Sequence, residues 1–160
     1  MLYLVLKLLH VVSVVLFLGN ITTGLFWKAH ADGTRDPRVI RATMEGLIGS
    51  DRWFTIPGVA AILVFGIATA VLGHYPILHT GWILWSLVLF AISGAAFMAK
   101  VAPLQRELAK LARAGAESGS LDWDAYHVLS RRWERWGAVA LFTPAGSLVL
   151  MVLKPPLPVW

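Results

Sequence analysis

Long apolar runs separated by short polar stretches set the architecture of this chain. The first run, Leu8 to Trp27, carries no Lys, Arg, Asp or Glu and is fenced by Lys7 and Lys28. As a helix rising about 1.5 Å per residue it reaches about 30 Å, the thickness of a bilayer's hydrocarbon core. From Trp53 to Ala99 there is again no charged residue, a length that suits two spans and is too long for one. The break falls at His74-Tyr75-Pro76 and His79-Thr80-Gly81, the polar, turn-forming cluster inside that run. The last apolar run follows Trp136 and stops at Lys154-Pro155-Pro156. The pattern predicts an all-α, polytopic membrane protein, a four-transmembrane-helix bundle forming one domain over 1–160. Its spans are expected over roughly 3–27, 54–73, 82–100 and 136–153. Pro57 and Gly58 fall in the first turns of the second span, where proline is tolerated.

The polar stretches predict short amphipathic cytoplasmic helices. After a polar segment from Ala29 to Asp36, Asp36 is placed to cap a helix with Pro37 at its first position. Ile40, Met44, Leu47 and Ile48 recur at helical spacing, and Gly49 is expected to end the pattern. Lys100 to Arg113 continues the third span beyond the membrane, with Leu104, Leu108 and Leu111 on its apolar side, until Gly115 to Ser120 breaks it. Asp122 then opens a second amphipathic helix in which Tyr126, Leu129, Trp133 and Trp136 oppose Arg131, Arg132, Glu134 and Arg135.

Within the first span, steps of three or four from Lys7 meet His10, Ser13, Phe17, Asn20, Gly24 and Trp27. From His10 onward these share an arc of roughly 100°, so one helix face is polar and aromatic. An imidazole and a carboxamide facing hydrocarbon would lack partners, so this face should turn toward the other helices. Small-residue stripes, Gly58, Gly66, Thr69 and Gly73 in the second span and Ser86, Ser93 and Ala96 in the third, predict close helix packing.

Composition agrees with the pattern: 58% of the residues are apolar and 14% charged. The formal charge of +5 would suggest nucleic acid were it not for where the basic residues sit. All Lys and Arg except Lys7 and Lys154 fall in the two polar loops, which places those loops in the cytoplasm and both termini in the periplasm. Trp27, Trp53, Trp133 and Trp136 are then expected at the inner interface, and Trp82, Trp85 and Trp160 toward the outer one. The N-terminus reads as a retained span rather than a removed signal peptide.

The absence of cysteine excludes disulfides, zinc thiolates, iron–sulfur clusters and thiol nucleophiles. No dinucleotide, P-loop, zinc-protease or nucleophile-elbow motif is present, so no enzymatic activity is assigned. The carboxylates lie in the cytoplasmic loops and are expected to be solvated or capping. Histidine remains. His10, His74 and His79 share the outer half, and neutral imidazole is the usual protein ligand of haem iron.

The opening Leu6-Lys7-Leu8-Leu9-His10, the end of that helix at Trp27-Lys28-Ala29-His30, and Leu150-Met151-Val152-Leu153-Lys154-Pro155 resemble the HemJ-type protoporphyrinogen oxidases. That resemblance implies a four-helix inner-membrane fold and haem b on a first-helix histidine, here His10. The chain departs from that group in having no charge in the third span before Lys100, which separates haem binding from the oxidase activity. Over nearly its whole length it resembles a bacterial family of integral membrane proteins, domain of unknown function 2269. The expectation is a small inner-membrane haem-b-binding redox or haem-handling protein. His10, Lys7, Ser13 and Asn20 would face the cofactor, and His79 or His74 would supply the opposite metal ligand. The alternative is a small transporter or channel subunit, or a structural partner of a larger membrane complex. Expected partners are the lipid bilayer, a haem or porphyrin, and a second copy or larger complex, with no nucleic acid.

Overall fold

The computed structural model describes residues 1–159, so Trp160 lies outside the described residues. Six α-helices follow one another: α1 (Leu2–Thr34), α2 (Pro37–Ser50), α3 (Ile56–Leu72), α4 (Gly81–Ala96), α5 (Ala102–Ser118) and α6 (Trp123–Leu153). Four continuous helical rods, 2–34, 37–72, 81–118 and 123–153, are long and apolar enough to cross a membrane. The all-α, four-span architecture is therefore present.

The helix over 100–113 continues the third span as expected, whereas the two helices expected to stand apart, after Asp36 and after Asp122, instead run directly into the second and fourth spans. Gly49 does not end α2, which passes through a π-turn at Asp51–Thr55 directly into α3. A second π-turn, Phe97–Val101, joins α4 to α5. Each lies just ahead of a proline, Pro57 and Pro103. Proline lacks the N–H that an α-helix needs and crowds the carbonyl four residues back. Widening the preceding turn, so that the Ile56 N–H reaches the Asp51 carbonyl and the Ala102 N–H reaches the Phe97 carbonyl, carries the helix across that defect without a break. Proline is thus accommodated inside a long helix rather than at its first turn.

The segment expected to be a polar loop after Lys28 is helical as far as Thr34, because Ala31 is buried and Lys28 pairs with Asp32 one turn on. Arg35 then turns the chain in a left-handed conformation. Asp36 accepts the Arg38 N–H and Asp122 the Ala125 N–H, so both expected caps are formed. Gly119, at φ 76°, closes α5 in the region that glycine occupies without strain.

The spans pack as two antiparallel pairs. In α1–α3, Phe17 sits on Gly58 and the His10 ring on Gly66. In α4–α6, Ser86 and Ser147 donate hydroxyls to each other's backbone carbonyls at 3.3 and 2.9 Å, and Ser93 donates to the Ala140 carbonyl at 2.7 Å. Gly58 and Gly66 of the first small-residue stripe, and Ser86 and Ser93 of the second, therefore form packing seams. The best-buried apolar cluster lies at the end of the bundle remote from Met1 (the inner end below, the opposite one being the outer), where Ile40 and Met44 of α2 meet Leu108 and Ala112 of α5 and Tyr126 and Trp133 of α6. Trp27, Trp53 and Trp136 remain exposed, whereas Trp133 is 5% exposed and belongs to the core, a correction to its expected place in the belt. It is drawn in because it bridges two polar networks.

Candidate functional site

The predicted polar face of α1 does turn inward, and its residues meet α3 level by level. Running down from the outer end, the His10 Nδ1 donates to the Ile62 carbonyl at 3.0 Å, Phe17 packs on Gly58, and the Asn20 amide donates to the Thr55 hydroxyl at 3.0 Å. A carbonyl can only accept, so Nδ1 carries the ring proton and Nε2 keeps its lone pair. Among the described residues no polar side-chain atom is both buried and without a partner. Nε2, which has no partner, is therefore not fully enclosed, on a residue of intermediate burial. Such an arrangement, one nitrogen anchored to a backbone carbonyl and the other free, is the form in which histidine binds metals.

The remaining predicted residues are dispersed. Lys7 is exposed near the outer end, and the Ser13 hydroxyl is spent on the Leu9 carbonyl. His74 comes eight residues after Gly66, which puts it about 12 Å farther out along α3 by the helical rise. His79 lies beyond it in a 3₁₀ turn, Ile77–His79, and both are exposed. The structure does not bring either one to His10. Among the described residues no group of three or more His, Asp or Glu could hold a metal ion by itself.

What the sequence did not reveal is a pair of polar networks at the inner end. In the first, Lys28 is 2% exposed. Its three N–H donors go to Asp32, to Ser130 and, at 3.0 Å, to Glu134. The Tyr126 hydroxyl donates to Asp32 at 2.6 Å, and the ammonium lies 5.8 Å from the Tyr126 ring centre and 5.5 Å from that of Trp133. Burial, and then the adjacent Asp32 carboxylate, pushes the Tyr126 phenol well above its ordinary pKa. With every donor of the lysine satisfied, this network fastens α1 to α6. The spacings Lys28/Asp32 and Ser130/Glu134 were visible in sequence, but such pairs at four residues apart are usually solvated.

The second network centres on Asp51 in the first π-turn. Its carboxylate accepts the Thr55 hydroxyl at 2.6 Å and the Gln105 amide at 2.9 Å. Gln105 in turn accepts the Trp133 indole N–H at 3.4 Å. Asn20, Ser50, Asp51, Gln105 and Trp133 border a cavity of about 40 Å³. It adjoins a wider groove of about 430 Å³ between α1 and α2, lined by Thr23, Trp27, Thr43 and Gly46. The expectation of merely solvated or capping carboxylates holds for Asp36 and Asp122 and fails for Asp32 and Asp51, which are drawn into the core by donors distant in sequence.

Between these inner networks and His10 stands Phe17, 3% exposed and against the Phe90 ring at 5.7 Å between centroids. Polarity is thus divided into an outer imidazole and an inner carboxylate compartment. A family model described as predicted integral membrane protein (DUF2269) matches residues 4–155. Neither a curated protein nor a solved structure matches the chain.

Proposed function

Taking as premise that the chain belongs to the DUF2269 family of integral membrane proteins, we propose that it is a bacterial inner-membrane protein binding haem b through His10, in a redox or haem-handling role. One observation carries the reading: the His10 ring is held by its Nδ1–H on the Ile62 carbonyl and laid over Gly66, leaving Nε2 free. His10 would supply one imidazole ligand to the haem iron, and His74 and His79 lie too far outward to join it. Lys7, one turn outward and exposed, is suited to a propionate. Ser13 and Asn20 support the helix that carries the ligand. Bound haem would supply one-electron chemistry at iron. The apolar plug at Phe17 favours a bound cofactor over a continuous path for transport.

The basic residues favour a cytoplasmic α2–α5 layer and periplasmic termini. A periplasm-dependent reporter fused after residue 160 should therefore be active, and one placed in the Gly119 turn silent. The reverse result would invert the topology.

The decisive experiment is the visible spectrum of detergent-purified protein from haem-replete cells. A Soret band at near-stoichiometric haem is expected. His10→Ala should insert normally and lose it, while His127→Ala, an exposed change on α6, should keep it. A colourless wild type, or a His10→Ala protein with an unshifted Soret band, would refute the assignment.

A further inference from the structure

Asp51 differs from the other carboxylates that hold elements of the inner layer together. Asp32 and Glu134 share Lys28, and Glu45 meets Arg41 and Arg113 at 3.1 and 2.7 Å. Asp51, half-buried, receives hydrogen bonds only from the neutral Thr55 and Gln105, and no ion pair reaches it among the described residues. A carboxylate offers about four lone-pair sites. Two are used, and the group borders the cavity of about 40 Å³.

Two further residues with acceptor oxygens line the same space. The Asn20 side-chain nitrogen is committed to Thr55, which leaves its side-chain oxygen as an unused acceptor. The Ser50 hydroxyl donates to the Leu47 carbonyl at 3.2 Å and keeps its own lone pairs. A volume of water size, one negative charge and acceptors in excess of donors describe a seat for a primary ammonium, with its three N–H groups. The wider groove shares Asn20, Gly24, Leu47 and Ser50 with this cavity and adds the Trp27 ring and the bare backbone of Gly46. Its size and lining suit the apolar body of the same molecule.

We propose that the cavity at Asp51 and the groove between α1 and α2 together bind a small lipophilic primary amine, its ammonium on Asp51 and its apolar body against Trp27 and Gly46. The site is separate from His10 and stands whether or not haem is bound there.

Isothermal titration calorimetry of the full chain in detergent tests this with phenethylamine and its neutral analogue 2-phenylethanol. The amine should bind saturably and the alcohol should not. Asp51→Asn should weaken the amine by about tenfold or more, the loss of a charge-assisted hydrogen bond. Gly46→Phe keeps the carboxylate and fills a groove in which nothing lies within 4 Å of the added Cβ, so it too should weaken the amine by about tenfold or more. Should Asp51→Asn fail to fold, Gly46→Phe decides alone. Glu107→Gln, exposed on α5, should bind as the wild type does. Equal binding of alcohol and amine, or amine affinity unchanged in Asp51→Asn or Gly46→Phe, would overturn the proposal. Displacement of phenethylamine by phosphatidylethanolamine in the micelle would also overturn it, by reassigning the site to a lipid headgroup.

Discussion

Gly66→Ala is the substitution for which the structure fixes both sign and partner. A Cβ added at Gly66 would stand 2.8 Å from the Cε1 of His10 and 2.9 Å from its Nδ1. Comfortable carbon contacts begin near 3.5 Å, so the ring must retreat by about 0.7 Å. It cannot do so freely, because Nδ1 hangs on the Ile62 carbonyl at 3.0 Å. Retreat stretches that bond toward the limit at which it stops counting as one. The lost bond costs about 1 kcal/mol, and overpacking adds about 1–3 kcal/mol. Against this, alanine in place of a helical glycine contributes about 0.5–1 kcal/mol. The clash wins, for a net loss of about 1–3 kcal/mol. At about 2–4 °C per kcal/mol for a chain of this size, the melting temperature in detergent should fall by about 2–12 °C. In a His10→Ala background the obstacle is gone and only the propensity gain remains. There the same Gly66→Ala change should be neutral or raise the melting temperature. Circular dichroism melts of the four proteins of this cycle give the coupling directly. An equal loss in both backgrounds, or no loss with His10 present, would refute the claim that the imidazole lies on Gly66.

Two more predictions concern the inner networks. Lys28→Met leaves Asp32 and Glu134 facing each other without their cation; because these are 26% and 54% exposed, the usual penalty for breaking a buried pair shrinks to about 1–3 kcal/mol. A melting temperature equal to that of the wild type would show that the lysine fastens nothing. Tyr126 has its phenol pKa raised by burial and by Asp32, so its contribution to stability is complete below the ordinary tyrosine value of about 10 and is lost as pH rises above it. One tyrosinate absorbance step should coincide with alkaline unfolding and vanish in Tyr126→Phe; a step at the ordinary tyrosine value in the folded protein would contradict this.

The spans were legible in the sequence because charge-free length is a property of contiguous residues. So was the inward face of α1, since His10, Phe17 and Asn20 repeat at helical spacing. The partners were not legible. Ile62 serves His10 through a backbone carbonyl, which leaves no side-chain signature, and Gly58 and Gly66 reveal only that something comes close. Gly49 looked like a helix end because it is a frequent stop signal, yet tertiary packing of Ile40 and Met44 against Leu108 carries the helix past it. Lys28 looked like a boundary charge for the same reason: its neighbours Ser130 and Glu134 are about a hundred residues away in sequence. Asp51 and Gln105 gave no hint of meeting, since each sits on a different rod beside a turn whose widening depends on a proline farther along.

Those widened turns have a mechanical consequence. An ordinary loop between a membrane span and a helix outside the membrane acts as slack, absorbing displacement on one side before it reaches the other. Here 37–72 and 81–118 are unbroken rods, and their inner ends, α2 and α5, are clamped together by the Ile40, Met44, Leu108 and Ala112 cluster and by the Glu45–Arg113 pair. Their outer ends meet in the hairpin at Pro76–Thr80. The two rods and the clamp form a closed frame, so a push on α2 or α5 has no joint in which to dissipate except the π-turns. A tilt of the inner layer would be delivered to the far side of the membrane as a movement of the hairpin.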